Sequence, residues 1–385
     1  MSATVTRAIP ADAAECARIL GDAARDRRTV RITGSGTKSY VGDVAATDVE
    51  VATSRLAGIV DHEPADLTVT VGAGMRIAEV AQVLERAGQF LPIDPPHADE
   101  ATIGGVIGAN SNGFWRARYG AVRDLLIGTR IALADGTVAR AGGRVVKNVA
   151  GYDLDKLIVG SFGTLGVIVE ATFKVLPVPP AGDGLSAGFA RSPEAFAAAD
   201  AVVRGASRVE GCVVEATEGA RRLAVRTPGS TATVKRAIED ARREIVMRQG
   251  TPRELGDDLD RMRELPARAT DGALVRVSLP IAAVPAFAET AARLANLATL
   301  VADVASGVVR VHLMGDDDVV VRSAEALLLA ARVVGGGGRI ERRAEHLRSR
   351  LPTWPTRPNG DFLMRRIKDA FDPAGILEPG RSAFA

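Results

Sequence analysis

The stretch that decides the fold runs from Pro92 to Gly128, PIDPPHADEATIGGVIGANSNGFWRARYGAVRDLLIG. It is preceded at Val30–Tyr40 by VRITGSGTKSY and followed at Val145–Val169 by VVKNVAGYDLDKLIVGSFGTLGVIV. Each stretch sets a glycine-rich turn beside an apolar run of strand type. A diphosphate needs several backbone N–H groups aimed at one place, and only chain without Cβ atoms bends so sharply and approaches so closely. Three such turns in one half of the chain imply separate segments converging on one large anionic ligand, unlike the single βα fingerprint of a Rossmann unit.

The first turn, Gly34-Ser35-Gly36-Thr37-Lys38-Ser39, follows the β-branched run Thr29–Thr33, where a phosphate loop belongs. It is not a Walker A motif, because Thr37 separates the last glycine from Lys38 and the four-residue spacer is absent. Alone it reads as a plain turn; with the downstream turns it reads as a diphosphate cradle, its N–H groups and the Ser35, Thr37 and Ser39 hydroxyls being the donors. Thr102, Gly104 and Gly105, continued by Asn110, Asn112 and Gly113, form a second cradle. Small residues over Gly104–Ser111 let a helix N-terminus abut an anion. Gly72-Ala73-Gly74 lacks the third glycine of a dinucleotide fingerprint and reads as a strand-to-helix turn. The third turn, Gly160–Gly166, precedes a strand that begins at Val167.

Around these turns the first half alternates strands and helices. Helical spacing covers Ala13–Ala24 with Asp12 as N-cap, and Leu67–Val71 is a strand. Ile77–Ala87 is an amphipathic helix ended by Gly88. Thr129–Gly143 is a hairpin turning at Asp135-Gly136. Pro177, Pro179 and Pro180 stop the strand Val167–Leu176 and mark a domain boundary, giving domains over 1–178 and 179–385. Beyond it runs a rough repeat: helix 192–205, strands 211–216 and 222–227 and helix 231–248, then strand 273–279, helix 283–295, strands 299–304 and 308–313 and helix 319–333. Two such units build one antiparallel sheet with helices on a face. Arg339–Arg350, mixed with Glu341 and Glu345, reads as the solvated face of a helix, and Phe362–Phe371 as a short helix.

The chain has 385 residues, 46% hydrophobic and 25% charged, with a net charge of +2; this excludes a nucleic-acid binder by charge and allows a full core in two domains. Cys16 and Cys212 are the two cysteines, which suits a reduced, cytoplasmic setting and is too few for an iron–sulfur cluster, which needs about four thiolates. No apolar stretch approaches the roughly 20 residues of a membrane span, and the N-terminus lacks a signal-peptide core. Membrane association would therefore run through partner subunits.

GSGTKS at Gly34–Ser39, DPPHADEATIGG at Asp94–Gly105, KNVAGYDL at Lys147–Leu154, GSFGTLGV at Gly160–Val167 and FDPAGILEPGR at Phe371–Arg381 resemble the flavoprotein family of vanillyl-alcohol oxidase and p-cresol methylhydroxylase (PCMH). Within it they are most similar to the E-type subunits of glycolate oxidase complexes. The resemblance is dense over 30–176 and in the tail, and only general over 180–360. It implies an α+β fold: a PCMH-type FAD-binding domain of two α+β subdomains, then a C-terminal antiparallel-sheet cap domain with helices, the tail returning to the FAD domain.

By the same resemblance FAD is the cofactor, held non-covalently. Tyr119, Gly120 and Asp124 continue its second segment, and Gly163, Val167 and Ile168 hold its adenine or ribitol side. Phe162 stands where the wider family usually has Glu, as in the E-type subunits. Lys147 and Asn148 are either near the flavin ring or at a loop surface. Family members that oxidise 2-hydroxy acids carry a C-terminal histidine cluster; here the corresponding region offers only His312, and no metal set. Lys147, Tyr152 and His312 are the weak catalytic candidates.

His97 has a structural role rather than a flavin tether, and Glu378 replaces the asparagine usual in the family's C-terminal turn. The expected function is the FAD-binding subunit of a glycolate oxidase complex, working with a homologous D-type flavoprotein and an iron–sulfur F-type subunit. A self-sufficient FAD-dependent dehydrogenase of a 2-hydroxy acid or alcohol, and an assembly subunit with structural FAD, are the competing readings.

Overall fold

The computed structural model describes residues 5–43, 45–143, 153–205, 209–355 and 360–382. The chain divides into two compact units, one comprising Met1–Asn112, Gly120–Val178 and Thr356–Ala385, the other Gly113–Tyr119 and Pro179–Pro355.

In the first unit, β1 (Thr6–Ala8), β2 (Val30–Thr33) and β3 (Val49–Ala52) form a parallel sheet in the order β1-β3-β2. The helix Ala13–Arg25 starts at Asp12, whose side chain accepts the Glu15 N–H at 2.8 Å, and it buries Cys16 and Leu20. The strands β4 (Ile59–Glu63), β5 (Thr68–Gly72), β6 (Gln89–Phe90), β7 (Leu126–Ala132), β8 (Val138–Gly142), β9 (Val167–Lys174) and β10 (Leu176–Pro177) follow. Five of them make an antiparallel sheet, β4-β5-β9-β7-β8, while β6 pairs with β10.

Strand β9 opens on an unbroken apolar run, Val167–Val169, because both of its faces are buried there. Val167 and Val169 pack with Leu20, Val30 and Val51, whereas Ile168, Ala171 and Phe173 pack with Ile103, Ile107 and Leu84. The loop after β2 and the turn before β9 are thereby anchored on shared core.

The tail closes the parallel sheet. Leu377 bridges Val30 in parallel, the Val30 N–H donates to the Ile376 carbonyl at 2.8 Å and the Glu378 N–H to the Val30 carbonyl at 2.8 Å. Upstream, Lys368 on the helix Asp361–Phe371 donates to the carbonyls of Thr164 (2.9 Å) and Leu377 (3.0 Å) and to Asp372 (2.5 Å). Asp372 in turn accepts the Ile376 and Leu377 N–H groups.

The second unit is built on one eight-stranded antiparallel sheet. Its strands are β11 (Ala181–Phe189), β12 (Gly211–Thr217), β13 (Arg221–Gly229), β14 (Thr251–Glu254), β15 (Ala273–Ser278), β16 (Leu297–Asp303), β17 (Val308–Leu313) and β18 (Gly337–Arg343). The order β14-β11-β13-β12-β16-β17-β15-β18 is two βαββαβ halves meeting at β12 and β16, each repeating the other in reverse across the join. Helices Ser192–Arg204, Thr231–Met247, Val284–Ala291 and Asp317–Val333 alternate with the strands, and their apolar residues bury one face of the sheet. The segment Gly113–Tyr119 lies on the other face, where Phe114 packs with Val213, Ala224, Leu274 and Val301.

One expectation is corrected here. Arg339–Arg350 is not a helix: Gly337–Arg343 is a strand paired with β15, and Glu345–Leu347 is a single 3₁₀ turn. Its strand part is not solvated, since Glu341 is 6% exposed and Arg339 is largely buried; Glu345, His346, Arg348 and Arg350 beyond it are exposed. Alternating charge was read as solvation, whereas cross-strand pairing buries it.

Candidate functional site

A cavity of about 390 Å³ in the first unit is lined by the loop after β2, the start of the helix Ile103–Ala109 and the turn before β9. Such a volume lies in the ordinary range for ligand sites. The three segments are in contact. A Cβ on Gly34 would stand 2.2 Å from Thr102 Oγ1, and one on Gly163 would stand 3.0 Å from Ile32 Cδ1 and 3.3 Å from Glu378 Cγ. The Gly160 and Phe162 N–H groups donate to the Ile107 and Gly108 carbonyls at 3.0 and 2.8 Å, which ties the third turn to the end of the helix.

The loop offers what an anion needs. Among the described residues, the N–H groups of Ser35, Gly36 and Thr37 donate to no protein acceptor. Gly36 has φ +78°, with nothing within 4 Å of where its Cβ would be, so its backbone faces open space in a conformation that glycine adopts freely. Arg31, Lys38 and Arg381 line the same cavity against one carboxylate, Glu50. Lys38 Nζ donates to the Pro96 carbonyl at 2.9 Å.

The helix start behaves differently from the expectation. Its Ile103 and Gly104 N–H groups donate to the Met75 and Ala73 carbonyls at 2.9 and 2.8 Å, and Thr102 Oγ1 caps the Gly105 N–H at 3.3 Å. These donors are used within the protein. Thr102, Gly104 and Gly105 therefore line the cavity as a wall without bulk, and the exposed donors belong to the loop after β2.

Of the other residues singled out in the sequence, Ser39, Gly163 and Ile168 line the cavity. Val167 is wholly buried in the core beside it. Asn110 is the left-handed C-cap of the helix (φ +46°). Asn112 braces the following loop, donating to the Asn110 carbonyl and accepting the Val122 N–H, both at 2.9 Å. Gly120 is a left-handed turn beside Asp124, which accepts the Ala121 N–H at 2.8 Å. Gly113 and Tyr119 belong to the second unit, where the Tyr119 hydroxyl donates to Glu210 at 3.1 Å. Burial first, and Glu210 next, push that hydroxyl up to about 12.

Lys147, Asn148 and Tyr152 lie outside the described residues. His312, on β17, is 7% exposed and its Nε2 meets the Asp271 carbonyl at 2.8 Å. Among the described residues no three His, Cys, Asp or Glu side chains are grouped to hold a metal. His97 has φ +59°, and its carbonyl caps the Glu100 and Ala101 N–H groups.

The sequence reading missed the residue that holds the loop. Arg381, 8% exposed, donates to the carbonyls of Lys38 (3.3 Å), Ser39 (3.4 Å) and Val41 and to Glu378 (3.1 Å). Glu378, 1% exposed, also accepts the Ile32 N–H at 2.5 Å; burial pushes its carboxyl up against the pull of Arg381. Its φ of +48° is the left-handed conformation that asparagine tolerates best among residues with a side chain. Arg381 stood at the end of a recognisable motif, FDPAGILEPGR, but its target is 343 residues away in the chain.

Residues 6–142 match the family model described as an FAD binding domain. This region is an FAD-binding domain. The chain is 43% identical over 164 residues to glycolate oxidase subunit GlcE of Escherichia coli K12 and 37% identical over 172 residues to glycolate oxidase subunit GlcD of Bacillus subtilis 168, the matches covering 42% and 44% of this chain. They cover 46% and 36% of those relatives, so the chain matches less than half the length of each. A mitochondrial D-lactate dehydrogenase of Arabidopsis thaliana is 40% identical over 30% of this chain and 20% of its own. The fold extends further: p-cresol methylhydroxylase superposes over 97% of this chain and 88% of its own with a TM-score of 0.74 at 15% identity. Among the described residues no helix is long and apolar enough to cross a membrane.

The turn before β9 yields a first prediction. Gly163→Val is expected to destabilise the protein by about 2–4 kcal/mol, combining left-handed strain at φ +82° with overpacking against Ile32 and Glu378. A denaturant melt checks it; an unchanged midpoint would contradict the packing described.

Proposed function

We propose that the chain is the FAD-binding subunit of a complex that oxidises a small 2-hydroxy acid, glycolate first among them, to the 2-oxo acid. The observation that carries this reading is the unpaired run of Ser35, Gly36 and Thr37 N–H groups, open to a cavity with an excess of basic residues. FAD, when bound, supplies a two-electron acceptor for the hydride of a carbinol carbon. The chain's own residues do the holding: those three N–H groups hydrogen-bond the diphosphate, Lys38 and Arg31 add positive charge, and Gly104, Gly105 and Gly163 let the ligand approach the backbone. Ile168 gives the cavity an apolar floor. Arg381 keeps the loop in shape.

Proton abstraction from the substrate hydroxyl finds no equipped base among the described residues. His312 is committed to a backbone carbonyl, and among the described residues no carboxylate orients its ring. This favours a homologous D-type flavoprotein as the site of chemistry, with an iron–sulfur F-type subunit taking the electrons onward. The names of two relatives, both glycolate oxidase subunits, support the multi-subunit setting.

The test is the visible spectrum of the purified chain before and after anaerobic glycolate, with and without co-expressed partners. A flavin spectrum that bleaches only with partners is expected. Bleaching by the chain alone would make it a self-sufficient dehydrogenase, and a colourless chain that still supports complex activity would leave an assembly role.

A further inference from the structure

The two halves of the second unit share a topology, and they balance charge differently on the face opposite the helices. In the first half, Asp258 accepts from Ser186 on β11 (2.5 Å), Arg253 on β14 and Arg261 (3.2 Å). Arg261 also makes a two-pronged contact with Glu215, at 2.5 and 2.9 Å, and Arg226 pairs with Glu210 at 3.1 Å. The basic side chains of that half thus have carboxylate partners.

In the second half the strand register puts Arg276 of β15 directly between Arg310 of β17 and Arg339 of β18. Glu341 takes Arg310 at 2.7 Å and Arg339 at 3.6 Å. The Arg276 side chain has neither a hydrogen bond nor an ion pair with any described residue. Arg116, on the segment packed over this face, adds a fourth guanidinium to the same field. The other carboxylate there, Asp303, is engaged by the Ala305 N–H at 3.2 Å and by the Ser306 hydroxyl. Burial first, then Arg339, Arg310 and Arg116, pull Arg276 down to about 9 against the attraction of Glu341.

A planar fork of five donors, largely desolvated and set among like charges, is matched by an anion with two coplanar acceptor oxygens. We propose that Arg276, flanked by Arg310 and Arg339, is a binding site in the second unit for a small carboxylate. The choice of a 2-hydroxy acid as the carboxylate rests on the function proposed above; the charge deficit does not. Arg276 would hold the acid group and orient the molecule, with no bond made or broken. Trp354, whose ring lies 5.5 Å from the Arg339 guanidinium, places a fluorescent reporter beside it.

The experiment titrates the full-length chain with glycolate and with its uncharged analogue glycolamide, reading tryptophan fluorescence and heat. Saturable glycolate binding is expected, weaker by about ten-fold or more for glycolamide and for glycolate with Arg276→Gln. Arg276→Lys, which keeps the charge, is expected to recover part of the affinity and serves as the folded control should Arg276→Gln not fold. Equal affinity for glycolate and glycolamide, equal affinity of wild type and Arg276→Gln, no saturable binding, or phosphate binding as tightly as glycolate would each overturn the assignment. The absorption spectrum of the same sample separates the two proposals: a chain that binds glycolate but carries no flavin refutes the FAD-subunit reading and leaves the carboxylate site standing.

Discussion

Arg381→Met is expected to lower stability by about 3–5 kcal/mol, the usual cost of removing one partner from a buried ion pair, and to weaken FAD binding by about ten-fold or more. Two losses add. Glu378, 1% exposed, loses its counter-charge, and the carbonyls of Lys38, Ser39 and Val41 lose the donor that shapes the loop. The pH dependence separates them. A carboxyl whose folded pKa is raised contributes stability below its unfolded pKa and loses it as pH rises through the folded value. Burial already raises Glu378 despite Arg381, Arg31 and the Ile32 N–H, so without Arg381 the rise is larger. The variant should therefore be closest to wild type near pH 5 and furthest from it near pH 8. Adding Glu378→Gln should recover much of the stability but not the FAD affinity. Denaturation at the two pH values and flavin retention on a desalting column check this; a cost independent of pH would mean that Glu378 is not ionised beside Arg381.

Glu341→Gln should be as damaging by the opposite electrostatic route. It removes the carboxylate that Arg310 and Arg339 share beside Arg276, again about 3–5 kcal/mol. Burial alone would raise the Glu341 carboxyl, but Arg310, Arg339 and Arg276 outweigh it and hold it down to about 2. A depressed carboxyl contributes stability that is full above its unfolded pKa and lost as pH falls towards the folded one. Wild type should accordingly lose stability between about pH 4.5 and 2 in a step that the variant lacks. Glycolate or acetate should also raise the melting temperature of Glu341→Gln more than that of wild type, since an added carboxylate takes the vacated role. Melting curves with and without the anion decide it, and equal shifts would argue against the arginines sharing one anion.

The parts of this fold that depend on neighbours in sequence were legible in it. Asp12 caps its helix, Gly136 turns its hairpin at φ +87° with Asp135 accepting the Thr137 N–H, and the three glycine turns meet at one cavity. What depends on register or on distant chain was not. Ala181–Phe189, interrupted by three glycines, is assigned no element from the sequence, yet it is a nine-residue strand paired along its length with β13. The arginine row exists only once β15 lies between β17 and β18. Glu378 looked like a departure from a motif, and only its contacts with Ile32 and Arg381 explain it.

The tail strand beside β2 also sets a schedule for biosynthesis. The loop after β2 leaves the ribosome with 343 residues still to follow before its clamp, Arg381, exists; at roughly 5–20 residues per second that is a wait of some tens of seconds. Until then the parallel sheet has an open edge at β2 and the loop lacks its Arg381 contacts. The shaping of the loop therefore waits for the tail strand to emerge, and a ribosome stalled before Arg381 holds a loop without its clamp.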